Sequence, residues 1–174
     1  MVLNRVALVA VLLSTPHLVD GHLTILQVAP SAAFAIIVHR SNPVDNLSFN
    51  ELRQIFMLDT QTWPHGRKIT VVLREKGQTE RAEAIRIICG LSEADYDKQI
   101  LFRTFQGRVT IGPRSIQTAA AMLRFVYNAP GAIGYVAADE LDPSVKLLRI
   151  DDLVPGDPRY PLRRVRPSSP DGTE

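Results

Sequence analysis

The sequence predicts an α/β domain with a mostly parallel sheet that is flanked by helices. Strand and helix patterns alternate along most of the chain, which is the order that parallel strands joined by helical crossovers require. Two strand patterns, residues 34–39 and 69–73, are continuous apolar runs, as expected for strands buried on both faces. With 174 residues, 45% of them hydrophobic, the chain can build one such domain.

The first 33 residues have the pattern of a secretory signal peptide. Arg5 precedes an apolar run over residues 6–13, which is typical of a signal peptide and much shorter than the roughly 20 residues that span a bilayer. Small residues at 31–33 provide a cleavage site. We therefore predict a signal peptide over residues 1–33 and a periplasmic or secreted protein. The alternative is an apolar N-terminal segment without a targeting role, or a misassigned start codon.

A capping box formed by Ser48 and Glu51 predicts the first helix. Its apolar residues recur at helical spacing: Leu52, Ile55 and Phe56. A turn at residues 41–43 separates this helix from the first strand, and a loop at residues 63–66 follows it. The second strand then leads directly into residues 74–79.

Three further helices are predicted in the second half of the chain. One runs from about Glu80 to Cys89 and ends at Gly90, and the next begins after Ser92, which can act as its N-cap. We expect Ser115 to cap the last helix. The apolar positions of that helix are Ile116, Ala119, Ala120, Leu123, Val126 and Tyr127.

Three further strands are predicted after residue 100. We expect one around residues 109–111, one over residues 132–136, where Gly134 indicates a close backbone approach, and an alternating edge strand over residues 145–150. From Pro155 onward, prolines and arginines accumulate, which predicts an extended, partly disordered tail. The predicted organisation is therefore a domain over residues 34–154 and a flexible tail over residues 155–174.

Ligands of parallel sheets bind at the carboxyl ends of the strands, which points to residues 39–43 and 74–79. In the second segment a buried strand ends, Gly77 permits a tight turn, and a helix begins. The first N–H groups of a helix are unpaired and partly positive, so they bind oxyanions. Arg74 can add a planar pair of donors and Thr79 a hydroxyl. Alternatively, Thr79 only caps the helix and Arg74 pairs with a neighbouring glutamate on the surface.

Several blocks of the sequence resemble the phosphate-binding proteins of ABC transporters. The most specific block is Pro-Gly-Ala-Ile-Gly-Tyr-Val at residues 130–136. The others lie at residues 37–38, 42–44, 47–48, 52–56, 63–64 and 69–72. The resemblance covers about Ile36 to Ala138 and implies a periplasmic-binding-protein fold of type II, represented by its second lobe and hinge strands. It also implies that the ligand is inorganic phosphate or a similar oxyanion, and that the partner is a membrane transporter or a sensor protein.

In that family the anion turn is an arginine, two residues that often include an acid, a glycine, and then Ser-Gly-Thr at the helix start. Arg74 and Thr79 match this pattern, whereas Gly77 and Gln78 stand where Gly-Ser-Gly is expected, so the turn is one residue shorter. The Gly/Ser-rich loop of the first lobe is not found, which would leave a ligand half solvated. We expect weak oxyanion binding by these four residues, with Ser115 as an additional hydroxyl.

Other kinds of chemistry have less support in the sequence. A net charge of +2 gives no reason to expect a nucleic-acid partner. Cys89 is the single cysteine, so neither an internal disulfide nor a zinc cluster can form, and we expect it to be buried. No nucleophile–base set is visible, so we expect neither an enzyme nor a cofactor or metal. The alternative function is an accessory or sensory domain that acts through protein contacts without a ligand.

Overall fold

A computed structural model describes residues 33–164 of the chain. The predicted signal peptide lies outside this range except for Ala33, and so do residues 165–174 of the predicted tail. Within the described range, no helix is long and apolar enough to cross a membrane.

Strands and helices alternate along the described residues, and the predicted α/β class is confirmed. The strands are β1 (Phe34–Val38), β2 (Asn46–Leu47), β3 (Thr70–Arg74), β4 (Arg114–Ile116), β5 (Ala132–Ala137) and β6 (Lys146–Ile150). The helices are α1 (Phe49–Phe56), α2 (Thr79–Cys89), α3 (Glu93–Phe105) and α4 (Ala119–Asn128). A short 3-10 helix, Ala138–Glu140, follows β5.

The strands form one sheet in the order β2-β6-β1-β5-β3-β4. Strand β3 pairs in parallel with both β4 and β5, and β2 pairs in parallel with β6. Strand β1 runs antiparallel to its neighbours β5 and β6. The sheet is therefore mostly parallel, as predicted, with one reversed strand near its centre.

The direction of β1 separates the two loops that were expected to share a sheet edge. Val38, at the end of β1, lies opposite Ile133 at the start of β5, whereas Thr70, at the start of β3, lies opposite Ala132. The carboxyl end of β1 is therefore at the amino end of β3, and the expected meeting of residues 39–43 with residues 74–79 is wrong. A continuous apolar run indicates burial on both faces, but it carries no information about strand direction.

Alternate residues of β1 show how the helices cover the sheet. Phe34, Ile36 and Val38 belong to the core that contains the buried residues of α1, α2 and α3. Ala35 and Ile37 belong to the second core, which α4 covers. The sheet is flanked by helices on both faces, as predicted.

The close approach predicted at Gly134 is confirmed, and it lies beneath α4. A Cβ atom at Gly134 would be 2.7 Å from the Sδ atom of Met122, a fully buried residue of α4. The absence of a side chain at this position of β5 therefore lets the helix pack directly on the strand.

Local capping signals place the first three helices correctly. The backbone N–H of Glu51 donates to Ser48 Oγ at 3.2 Å, and the Glu51 carboxylate accepts from the Ser48 backbone N–H at 2.8 Å. Ser92 caps α3, and Gly90 ends α2 in the left-handed conformation with φ +71°. The three residues expected to face inward from α1 are all buried: Leu52, Ile55 and Phe56.

The start of α4 was predicted incorrectly. Ser115 lies within β4, where it is exposed, and the N-cap is Thr118, whose Oγ1 accepts from the Ala121 N–H at 3.1 Å. The short strand expected around residues 109–111 is absent there and lies instead at residues 114–116. Ser115 directly precedes Ile116, where the apolar pattern of the helix was expected to begin, so its hydroxyl matched the position of a cap. Strand β4 has only three residues, which is too short for an alternating pattern to be recognised in the sequence.

The shift also changes which side of α4 is buried. Met122 and Val126 are its buried residues, whereas Tyr127, which was expected on the apolar face, is 52% exposed. Strand β6 is a further correction, because it lies between β2 and β1 and not at an edge. The alternation of apolar and polar residues in β6 arises because the two faces of this interior strand are covered unequally. Leu148 and Ile150 lie on the buried face.

Residues 155–164, which were expected to belong to the flexible tail, pack against the domain. Tyr160 and Leu162 are buried, and the Phe34 N–H donates to the Leu162 carbonyl at 3.0 Å. Arg164 forms an ion pair with Glu83 at 2.7 Å and lies over the Phe34 ring. The expectation of disorder therefore does not hold for this segment.

Candidate functional site

Arg74 is the last residue of β3, and hydrogen bonds fix its backbone on both sides. Its N–H donates to the Tyr135 hydroxyl at 3.2 Å, and its carbonyl accepts from Arg81 Nη1 at 3.1 Å. The guanidinium is different: its Nη1 atom is buried and has no hydrogen-bond partner among residues 33–164. The alternative interpretation, without a ligand, predicted an ion pair between Arg74 and a neighbouring glutamate. No such pair is present among residues 33–164.

Gly77 makes the turn between β3 and α2. Its φ is +81°, a conformation that favours glycine, while a Cβ atom there would meet nothing within 4 Å. The glycine is therefore explained by backbone conformation and not by a close approach. Its N–H donates to Glu93 Oε1 at 3.3 Å, so this donor of the turn is already engaged within the chain.

Helix α2 begins at Thr79, but Thr79 is not its cap. Gln78 occupies the N-cap position without a capping side-chain hydrogen bond, and Thr79 is the exposed first residue of the helix. The Gln78 side chain instead donates from Nε2 to the Gln117 carbonyl at 3.1 Å, which leaves its buried Oε1 without a partner in the described part of the chain. The alternative interpretation, in which Thr79 only caps α2, is therefore wrong.

A second helix begins beside this turn. Strand β4 runs parallel to β3 and ends at Ile116, directly opposite Arg74, and α4 starts three residues later. The hydrogen bond from Gln78 to Gln117 joins the two helix starts. Ser115, opposite Leu73, lies one residue further from this edge. Two helix N-termini, each with a partial positive charge, therefore meet at the carboxyl ends of β3 and β4.

Helix α3 brings acidic side chains to this turn that were not predicted from the sequence. Arg81 is only 3% exposed, and its Nε lies 2.7 Å from Glu93 while its Nη2 lies 2.8 Å from Asp97. Lys76 also pairs with Asp97, at 2.7 Å. One signal was present: Arg81 falls on the inward side of α2, three residues before buried Ala84, where a cation requires a partner.

These contacts determine the charge of the turn. Its cations are Arg74, Lys76 and Arg81, and its carboxylates are Glu75, Glu80, Glu93 and Asp97. Three positive charges against four negative ones leave the cluster with one net negative charge. The partial positive charges of the two helix starts act against this balance, so the arrangement can hold an oxyanion only weakly.

Burial keeps two other titratable side chains, Cys89 and Tyr135, in their protonated forms. Burial raises the pKa of the Cys89 thiol to about 12, so the cysteine is protonated and unreactive, in its predicted buried position. Burial likewise raises the pKa of Tyr135 to about 12. His39 directly follows β1, at the opposite end of the sheet strands from Arg74, and its ring is hydrogen-bonded to Ser41. Among residues 33–164, no group of three His, Cys, Asp or Glu side chains could hold a metal ion.

A separate small cavity, of about 180 Å³, lies at the amino end of β3. Its lining includes Lys68, Thr70 and Thr110, so it is at the opposite end of the strand from Arg74. None of the residues predicted to bind an oxyanion lines this cavity.

Comparison with known proteins identifies solved structures with a similar fold. No protein-family model matches the sequence. An ABC-type phosphate transport receptor from Vibrio cholerae has a TM-score of 0.58 and 22% identity, and the match covers 73% of this chain and 50% of that one. A putative phosphate ABC transporter substrate-binding protein from Clostridium perfringens, solved with bound phosphate, has a TM-score of 0.63 and 21% identity, with 78% and 55% covered. PstS from Borrelia burgdorferi has a TM-score of 0.61 and 12% identity, with 76% and 54% covered.

The predicted resemblance is confirmed at the level of the fold. The chain spans about half the length of each of these three proteins. The protein therefore has the type II periplasmic-binding-protein fold, over about half the length of the phosphate-binding proteins that it resembles.

Proposed function

We propose that this protein is an exported solute-binding-type protein that binds phosphate or a similar oxyanion weakly, where β3 and β4 end. The observation that carries the proposal is the buried Nη1 atom of Arg74, which has no partner among the described residues; Arg74 ends β3 where two helices begin. An unsatisfied buried donor costs about 1–3 kcal/mol, and more when it is charged. An oxyanion would satisfy it with a charge-assisted hydrogen bond.

Each predicted residue has a distinct role in this site. Arg74 supplies the charge, and Thr79 supplies an exposed hydroxyl and the first N–H of α2. Gln78 supplies an acceptor, because its Nε2 donates to the Gln117 carbonyl and its buried Oε1 has no donor among the described residues. An acceptor favours an oxyanion that still carries a proton, such as phosphate at neutral pH, over sulfate. Gly77 shapes the turn, and Ser115 lies behind it as a secondary contact.

The affinity is limited by two features of the chain. The carboxylates around the turn outnumber its cations by one, and the match to the similar structures covers only about half of each of those proteins. A site that is open on one side keeps its ligand partly hydrated. We expect a dissociation constant of about 1 mM, equivalent to about −4 kcal/mol. A periplasmic or secreted location and a membrane transporter or sensor partner belong to the same proposal, since the neighbours are named as transport proteins.

Calorimetric titration of the purified protein with phosphate, sulfate and molybdate tests the proposal. We expect saturable binding of phosphate, weaker binding of sulfate, and a loss of at least about tenfold in phosphate affinity for Arg74→Ala, because a charge-assisted hydrogen bond is worth about 1.5–3 kcal/mol. Arg86→Ala is the matched control, since Arg86 is an exposed arginine in the last turn of α2, at the far end of that helix from the turn. Absence of saturable heat with every anion would exclude the function, and binding that survives Arg74→Ala would exclude this site.

A second function is favoured by an exposed apolar patch on α3 and the loop after it. Its residues are Leu101, Phe102, Phe105 and Ile111, which are 57%, 62%, 82% and 60% exposed. Lys98 and Arg108 line the groove beside Phe102. Apolar residues of this kind with basic neighbours suit a protein partner that presents acidic and apolar groups. A second copy of the chain would bring like charges together across a two-fold axis.

The α3 patch can be tested by co-purification of its partner. We expect Phe105→Asp to abolish the association and added salt to weaken it, because the contact combines apolar burial with charge. Tyr127→Asp, a similar change at a 52% exposed position on α4, should have no effect. Association that both variants retain would show that the partner binds elsewhere, and a concentration-dependent dimer would identify a second copy as the occupant.

A further inference from the structure

We infer that Glu93 is an intramolecular competitor of the oxyanion, because its carboxylate occupies part of the turn that the ligand would use. This inference rests on the proposed function and names a residue that sets its affinity. Glu93 belongs to α3, outside the segment that forms the turn.

One oxygen of Glu93 engages two groups of the kinds that bind an oxyanion: it accepts a hydrogen bond from a backbone N–H and forms an ion pair with an arginine. Its Oε1 atom lies 3.3 Å from the Gly77 backbone nitrogen and 2.7 Å from Arg81 Nε. A backbone N–H at a helix start and an arginine guanidinium are the usual partners of a bound phosphate or carboxylate. The carboxylate therefore stands where a ligand oxygen would bind.

The surrounding structure holds Glu93 in this position. It is the first residue of α3, directly after the N-cap Ser92, and only residues 90–92 connect α3 to α2. Arg81 is fixed independently, by Asp97 and by the Arg74 carbonyl. The carboxylate consequently meets a preorganised pair of donors without ordering a flexible loop.

Glu93 can also leave this position without disturbing the fold. Its side chain is 22% exposed, so a change of rotamer would return the carboxylate to water. Arg81 would keep its ion pair with Asp97 at 2.8 Å. An incoming oxyanion can therefore replace Glu93 by a side-chain movement alone, and it must overcome the attraction between Glu93 and Arg81.

Removal of the charge on Glu93 should tighten binding. Glu93→Gln preserves the size of the side chain and changes the balance at the turn from four carboxylates against three cations to three against three. We expect its phosphate affinity to exceed that of the wild type by about tenfold, the scale of one charge-assisted hydrogen bond. Glu93→Asp, which keeps the charge but withdraws it from the Gly77 N–H, should give a smaller increase and serves if the glutamine variant does not fold.

The matched control is Asp95→Asn. Asp95 lies in the same turn of α3, is exposed, and bonds to Ser92 Oγ at 2.7 Å. Its replacement removes one negative charge near the turn without touching Gly77 or Arg81. We expect its phosphate affinity to change by less than about twofold, because an exposed charge contributes at most about 1 kcal/mol and usually much less.

A measurement without ligand separates this inference from the proposed function. In the unliganded protein, the amide resonance of Gly77 should move and its hydrogen exchange should accelerate in Glu93→Gln but not in Asp95→Asn. Tighter phosphate binding by Glu93→Gln than by the wild type, together with this change, supports the inference. Wild-type binding that depends on Arg74 but is unaltered by Glu93→Gln overturns the inference and leaves the function intact. If the Gly77 amide changes and neither protein binds phosphate, the proposed function fails and the competitor role falls with it.

Discussion

Replacement of Gly131 by alanine is expected to lower the free energy of unfolding by about 3 kcal/mol, the upper end of the usual cost of overpacking. A Cβ atom at Gly131 would lie 2.2 Å from the backbone carbonyl oxygen of Lys68. This oxygen cannot move aside by a rotamer change. The Gly131 carbonyl also accepts hydrogen bonds from the Thr70 N–H at 3.0 Å and from Trp63 Nε1 at 3.1 Å, so relief of the clash would disturb the start of β3.

Denaturant-induced unfolding, monitored by circular dichroism, measures this loss. Gly112→Ala is the control, because a Cβ atom there would meet nothing within 4 Å and its φ is outside the left-handed range. We expect the control to change the unfolding free energy by less than about 0.5 kcal/mol. Equal stability of the two variants would contradict the packing of residues 63–68 against the start of β5.

Replacement of Arg81 by methionine should produce the second large effect. Arg81 is 3% exposed and pairs with Glu93 and Asp97, whose side chains are 22% and 29% exposed. Loss of one partner from a fully buried ion pair costs about 3–5 kcal/mol, and the partial exposure of the carboxylates reduces our expectation to about 2–3 kcal/mol. Methionine retains an unbranched apolar stem and removes the guanidinium, so the lost stability reports mainly the charge and its hydrogen bonds.

The same unfolding experiment on Arg86→Met provides the control for Arg81. Arg86 lies on the exposed side of the same helix, and we expect its replacement to cost less than about 0.5 kcal/mol. If Arg81→Met were no less stable than Arg86→Met, then Glu93 and Asp97 would not depend on Arg81. Their position against the turn would then need another explanation.

Local patterns were sufficient to predict most of the elements. The capping box of Ser48 and Glu51 and the left-handed Gly90 depend on residues close in sequence, so they could be recognised without the fold. The reversal of β1 could not, because a fully buried strand presents the same apolar run in either direction. The position of β6 was also hidden, since alternation occurs both at an edge and where an interior strand has unequally covered faces.

The candidate site was likewise predictable from the sequence only in part. The placement of Arg74 and Thr79 at a strand–helix junction follows from adjacent residues. Thr118 lies beside that junction because β4 pairs with β3. Strand β4 is short, and the sequence does not reveal it. Likewise, the contact of Glu93 with Gly77 arises from the packing of α3, and no local pattern indicates which of several carboxylates will reach the turn.

A titration of the isotope-labelled protein with phosphate, followed by the amide resonances in two-dimensional NMR spectra, tests most directly whether the oxyanion binds where β3 and β4 end. We predict that the largest shifts centre on residues 74–80, with smaller shifts at Thr118 across the Gln78–Gln117 contact. Shifts centred instead on the cavity lined by Lys68 and Thr110, at the other end of β3, would contradict this placement of the site.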